Sequence, residues 1–314
     1  MYNPDMIFFF YGPNAYAARQ ELHRMTAAYL KKTGSDLGLE RLDGPSLTLK
    51  GLQVTLQASP FLASSRLVII EDFGRVKITG EELERSLAVV PPTTVAVFYD
   101  SEVDQRTAYY KTMHKLARNV KFDHQTPAQL TAWLSNEAKR LGGSIDRPAA
   151  QALLAAAGED QWRLSGEISK LVSYQPKVTT ETVQLLVVPT LNQSIFDLVE
   201  AMTAGRGKAA LTAYHELLAE RTNEIYLLTM VIWQLRNLLL ARTAHGLAPN
   251  DLAKVAGMSP YVAGKAMQAA RAYDEATLKQ AFLAATECEY RIKSGREPAQ
   301  PAVERLILEV ATKR

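Results

Sequence analysis

The sequence predicts an α/β domain with a mostly parallel sheet, followed by helices alone, and three observations predict it. Up to about residue 125, apolar runs of strand length alternate with segments whose apolar residues recur every three or four positions. That alternation is the pattern of a sheet covered by helices on both faces. Beyond that point the strand-like runs stop and only the helical period remains. A chain of 314 residues, 47% of them hydrophobic, exceeds one ordinary domain and can build two or three cores.

Met6-Ile7-Phe8-Phe9-Phe10-Tyr11 is apolar throughout and stops at Gly12-Pro13-Asn14, which suits a strand buried on both faces. A helix follows from Ala15 to Lys32, with Ala18, Leu22, Met25 and Tyr29 on one face and Gly34 as its stop. Leu39 to Asp43 is a short second strand, and a helix carrying Leu49, Leu52 and Leu56 comes next. Arg66 to Ile70, Thr93 to Tyr99 and Val120 to Phe122 are the remaining strands, separated by helices over Gly80 to Val89 and Thr107 to Arg118. In the second part, Thr126 with Gln129 forms a capping-box pattern that opens a helix to Gly142-Gly143, and no strand is expected after it. Four short helices are predicted up to Pro189, the third of them with Trp162, Ile168, Leu171 and Val172 on its apolar face and Arg163, Glu167 and Lys170 in solvent. From about Thr190 an all-helical bundle follows, with its most apolar helix at Glu224 to Ala244. The expected domains are therefore 1–125, 126–189 and 190–314.

Composition narrows the functional classes. Net charge is +3 and charged residues make up 22%, so the totals carry only a weak basic bias toward nucleic acid. Cys288 is the single cysteine, which excludes an internal disulfide and fits a reducing compartment; cytoplasm is expected. The five histidines have no metal spacing, so no metal or other cofactor is expected. Leu227 to Leu240 comes nearest to a membrane span, but Gln234, Arg236 and Asn237 interrupt it and favour a buried helix.

A phosphate-binding loop needs glycines that let backbone N–H groups wrap phosphate, a lysine to neutralise it and a hydroxyl for magnesium. The first turn keeps Gly12, but Ala17 stands at the second glycine, Ala18 at the lysine and Arg19 at the hydroxyl position. Pro13 removes a further donor. Glu71 and Asp72, closing the third strand, lie where such ATPases hold their metal-binding acids; without the loop they also read as solvated acids at a strand end. Phe61 and Leu62 precede that strand among Ser59, Ala63, Ser64 and Ser65, either as a plug into the core or as a knob offered to another protein. Arg291, Lys293 and Arg296 form a basic cluster that could touch phosphate or simply suit a helix C-terminus.

Taken together, these segments resemble the delta subunit family of the bacterial DNA polymerase III clamp loader over essentially the whole chain. Ile7 to Gly12 with the helix after it resembles the family's opening strand and degenerate phosphate loop. Phe61 to Ile70 resembles its clamp-engaging element, and Gly158 to Tyr174 a helix of its middle domain. Ile195 to Val199, Gln234 to Leu239 and Tyr290 to Arg296 resemble its collar. The resemblance implies an AAA+-like, P-loop NTPase-type domain with a degenerate nucleotide site, then a helical lid and a helical collar. It implies a non-catalytic subunit of the DNA-directed DNA polymerase holoenzyme, in which Phe61 and Leu62 bind the sliding clamp (beta). Its other partners would be the loader's ATPase subunits, a delta-prime-like subunit and primed DNA, with no membrane. Pro60, just before the pair, departs from the family pattern and changes the angle at which the pair would approach the clamp. Two competing readings are a P-loop-like ATPase or kinase using Arg19, Glu71 and Asp72, and a stand-alone DNA-binding protein.

Overall fold

The computed structural model describes residues 6–60, 63–220, 222–244, 246–258 and 260–312. The chain divides into two compact units, Met1–Gln125 and Thr126–Arg314.

The first unit holds five strands, β1 (Ile7–Tyr11), β2 (Leu39–Asp43), β3 (Arg66–Glu71), β4 (Thr94–Asp100) and β5 (Arg118–Lys121). They form one sheet in the order β2-β3-β4-β1-β5, with every pairing parallel. Alternate residues of each strand point to opposite faces, so the apolar runs feed two cores. Helices α1 (Ala15–Thr33), α2 (Leu49–Gln57), α3 (Gly80–Ala88) and α4 (Ala108–Leu116) supply the other half of each. Phe10, Leu67, Ile69 and Val97 pack with Ala18, Leu22 and Tyr29 of α1. Ile7, Phe9, Val68, Ile70, Ala96 and Phe98 face the other way, against Leu52, Leu56, Leu83, Leu87, Tyr109 and Met113. Local chemistry fixes the helix ends. Thr48, Thr79 and Thr107 each accept a backbone N–H at the start of α2, α3 and α4, and Gly34 closes α1 in the left-handed region at φ 66°.

The second unit begins with α5 (Pro127–Arg140), whose capping box is formed by Thr126 and Gln129 as the sequence predicts. A two-residue strand follows where none was expected. β6 (Ser144–Ile145) pairs in parallel with β7 (Lys177–Val178), and between them lie α6 (Arg147–Ala157) and α7 (Gln161–Tyr174). Such a pair is too short for its apolar alternation to be read. Another correction concerns α7. Trp162 is half exposed rather than core, and Glu167, though paired with Lys170 at 2.5 Å as its i,i+3 spacing predicts, is mostly covered rather than in solvent. Arg163 donates instead to the Val188 carbonyl at 2.7 Å.

With α8 (Thr180–Leu186), these helices enclose one apolar cluster running from Leu130 to Val187. A separate cluster, Ile195 to Ile307, is built by α9 (Leu191–Thr203), α10 (Gly207–Ala219), α11 (Glu224–Thr243), α12 (Pro249–Ala256), α13 (Pro260–Ala270), α14 (Glu275–Lys293) and α15 (Ala299–Thr312). Among the described residues α11 alone is long and apolar enough to cross a membrane, yet Leu227, Leu228, Val231, Leu235 and Leu238 are buried in that cluster.

Candidate functional site

At the phosphate-loop positions the backbone donors are already engaged. Gly12 adopts φ 123°, and a Cβ there would lie 2.4 Å from the Phe122 carbonyl oxygen, so the turn is pressed against the chain leaving β5. The Gly12 amide donates to the Asp100 carbonyl at 3.2 Å and the Asn14 amide to the Phe122 carbonyl at 3.0 Å. Ala17 N–H is taken by the Asn14 side chain at 3.0 Å, and Ala18 N–H by the Asn14 carbonyl at 3.2 Å. A phosphate cradle needs these groups to point outward, and here they are spent within the chain. Ala18 is fully buried.

Arg19 and Glu71, the cation and one of the acids of the ATPase reading, are paired with each other at 2.9 Å. Arg41 lies 4.0 Å from the same carboxylate, and the Arg19 guanidinium sits 6.0 Å from the centre of the Tyr99 ring. Asp72 is in the left-handed region, φ 59°, where its amide donates to the Tyr99 carbonyl at 2.8 Å. The acid most deeply held in this region was not anticipated. Asp100, at the end of β4, is 1% exposed and accepts from Gly74 N–H at 2.7 Å and from the Tyr109 hydroxyl at 2.6 Å. Burial pushes its carboxyl up to about 6, against the two hydrogen bonds, which favour the charged form. A carboxylate ending an otherwise apolar strand was its only signal in the sequence.

The apolar pair itself, Phe61 and Leu62, lies outside the described residues. Ser59 and Ser64 are exposed, Ala63 and Ser65 half-buried, and Val54 on α2 is also exposed. Arg66, the basic residue after the pair, turns inward. It is 4% exposed, and its guanidinium donates to the Thr55 and Ala58 carbonyls at 2.7 and 2.6 Å and to Glu40 at 2.6 Å. The same side chain therefore closes the C-terminal turn of α2 and fixes the point where the loop leaves it. The other end is held by the Tyr29 hydroxyl, which donates to the Ser65 carbonyl at 2.9 Å. Gly38 makes room for that bond, since a Cβ there would lie 2.4 Å from the Tyr29 hydroxyl and 2.5 Å from the Ser65 carbonyl. The described residues on either side of the pair, Ala58 before it and Ser65 and Arg66 after it, are thus tied to the sheet and its helices.

The basic cluster is largely self-neutralised. Lys293 pairs with Glu289 at 2.9 Å, Arg291 lies 3.6 Å from Glu297, and the Arg296 guanidinium sits over the Tyr290 ring at 5.1 Å. No group of three or more His, Cys, Asp or Glu able to hold a metal occurs among the described residues.

Residues 192–310 match the family model described as the DNA polymerase III delta subunit, C-terminal domain. DNA polymerase III subunit delta of Bacillus subtilis is 22% identical over 97% of this chain and 92% of its own length. The solved structure of the Bacillus subtilis DNA clamp loader delta protein superimposes with a TM-score of 0.72 at 21% identity, covering 98% of this chain and 96% of the other. The chain accordingly shares the fold of that structure, a parallel α/β sheet unit followed by helices. Residues 192–310 thus match the C-terminal domain of the DNA polymerase III delta subunit, and across its length the chain is similar to the delta protein of that polymerase's clamp loader.

Proposed function

We propose that this chain binds and opens the sliding clamp within a DNA polymerase III clamp loader, without hydrolysing ATP itself. The observation that carries the reading is the anchoring of both flanks of the Phe61-Leu62 pair, Ala58 by Arg66 and Ser65 by Tyr29. An apolar anchor on rigid flanks loses little conformational freedom when it enters a partner's pocket, which is how a few residues come to dominate an interface. Phe61 and Leu62 are that anchor, and the pocket belongs to the clamp. Opening needs no covalent step: a subunit that binds the open clamp better than the closed one shifts the equilibrium by its differential affinity.

The internal use of the Gly12, Asn14, Ala17 and Ala18 amides supports the absence of nucleotide chemistry, as does the Arg19–Glu71 pair. ATP is then bound and hydrolysed by neighbouring subunits. The helical bundle from residue 190 onward joins those ATPase subunits and a delta-prime-like subunit, with primed DNA held by the assembly in the cytoplasm. The paired state of Arg291 and Lys293 gives little support to a stand-alone DNA-binding protein.

A pull-down of the full chain against the sliding clamp, repeated with Phe61→Ala combined with Leu62→Ala, tests the reading. Wild type should retain the clamp, and the double variant should lose it while melting at the same temperature. Clamp retained at wild-type affinity by the double variant refutes the assignment of the pair. An ATP titration of the isolated chain tests the other half, and saturable micromolar binding with turnover would revive the ATPase.

A further inference from the structure

The second unit contains a cavity of about 350 Å³ between the C-terminal end of α6 with the turn that follows it, α9, α11 and α13. Its size falls within the range of small-ligand sites. The chemistry of its wall is specific. Gln234 is 5% exposed and lines the cavity, and its carboxamide makes no hydrogen bond to any described residue. Glu159 also lines it, with a buried Oε1 that has no hydrogen-bond partner in the described chain, and burial raises its carboxyl above the usual range. Trp233 precedes Gln234 on α11 and also lines the cavity, as does Phe196. Opposite in charge to Glu159 is Lys265, whose ammonium lies 4.4 Å from the centre of the Phe196 ring and donates to Gln193. Burial lowers its pKa, so the site holds a desolvated cation as well as a desolvated acid.

Each of these groups demands something of an occupant. A buried carboxamide without partners is satisfied by a ligand edge that offers an acceptor beside a donor. The Glu159 oxygen needs a donor, which excludes a simple inorganic anion as the natural occupant. Trp233 and Phe196 bring aromatic side chains to the lining, and Lys265 offers a charge to a phosphate or keto oxygen. An aliphatic ligand would leave Gln234 and Glu159 unsatisfied. Nucleobases meet all the demands at once, since a carboxamide pairs two-fold with a base edge and every base has a stacking face. We propose that this cavity is a nucleobase-binding site, selective for bases with an exocyclic amine that Glu159 can accept. The base belongs either to a free nucleoside monophosphate or to an unpaired nucleotide of a single strand.

The test titrates the full chain with dAMP, dGMP, dCMP and dTMP, and in parallel with short single-stranded oligonucleotides of the same bases, following ligand signals by saturation-transfer NMR. Gln234→Leu and Glu159→Gln are compared with wild type, with thermal melts to show that both variants fold. Saturable binding of the amino-bearing monophosphates over dTMP, weakened roughly tenfold by either substitution, is the expected result for a free nucleotide. Binding of oligonucleotides alone, weakened equally by the same substitutions, assigns the base to a strand. No saturation by either ligand, or folded variants that bind as wild type does, overturns the proposal.

Discussion

Replacing Arg66 by alanine should loosen the loop that carries Phe61 and Leu62 without touching either residue. The guanidinium is buried and makes three short bonds, two to the Thr55 and Ala58 carbonyls and one to Glu40. A hydrogen bond to a charged group contributes about 1.5–3 kcal/mol, and a carbonyl left buried without a partner adds its own desolvation cost. Glu40 keeps 42% of its side-chain exposure, so its share is discounted for screening. The bonds to the two carbonyls then dominate, but exposed Ala58 can turn its carbonyl to water, so the expected loss is about 2–3 kcal/mol, a sizeable part of the typical 5–15 kcal/mol of a whole domain. The readout must come from the first unit. Trp133, Trp162 and Trp233, all three tryptophans of the chain, lie beyond residue 125, so their fluorescence is silent about it. Amide exchange of β3 and clamp affinity are the suitable measurements. Both should change, exchange by faster opening and affinity by a faster off-rate, and Arg66→Lys should recover part of each because an ammonium replaces some of the lost donors. If β3 exchange and clamp affinity in Arg66→Ala equal those of wild type, Arg66 does not hold the loop and the reasoning fails.

Asp100 makes stability depend on pH in the unusual direction. Its carboxyl keeps its proton up to about pH 6 in the fold but releases it near 4 when unfolded, so its contribution is complete below about 4, is lost as pH rises to about 6, and stays lost above, for a total of about 3 kcal/mol. Urea midpoints of Asp100→Asn, followed by amide exchange in β4, should match wild type near pH 4 and exceed it at pH 7; equal pH profiles would remove Asp100 as the cause. Gly38→Ala places a methyl group against the Tyr29 hydroxyl and the Ser65 carbonyl and should destabilise the first unit by about 1–3 kcal/mol, the usual cost of overpacking, with clamp binding reduced in parallel. Wild-type melting of that variant would show that the loop's second tether is dispensable. Gly12→Ala meets both a positive φ and a backbone oxygen at 2.4 Å, and should therefore cost more than Gly38→Ala in the same unfolding measurement.

Much of the fold is legible in the sequence because its signals are local. The apolar run Ile7–Tyr11 reads as a strand buried on both faces, and Thr126 with Gln129 reads as a helix start, since each is decided within a few residues. The β6–β7 pair is not legible, because two residues carry no period and their pairing depends on chain 33 residues away. The same distinction governs the site. The losses at Ala17, Ala18 and Arg19 can be read from residue types alone, whereas the spending of the Gly12 and Asn14 amides on Asp100 and Phe122 requires the sheet to bring those carbonyls near. Arg66 illustrates the limit of reading by type. A basic residue beside an apolar pair looks like part of an interface, yet its guanidinium reaches back to α2 and leaves little of itself in solvent. Gln234 and Asn237, which interrupt the apolar character of α11, are buried polar groups rather than a solvent face.

The burial of Ala18 has an evolutionary consequence. A lysine at that position, the change that would return the phosphate-binding residue, would start among Phe10, Leu22, Tyr29 and Ile69 rather than in a cleft. Burying an unpaired ammonium there costs several kcal/mol before any phosphate could repay it. The turn would offer little in return, with Asn14 held by Phe122 and Ala17 by Asn14. A phosphate-loop arrangement here would therefore need the helix, the turn and the chain after β5 to change together. The packing of α1 against the sheet thus weighs against a phosphate-binding lysine at this turn.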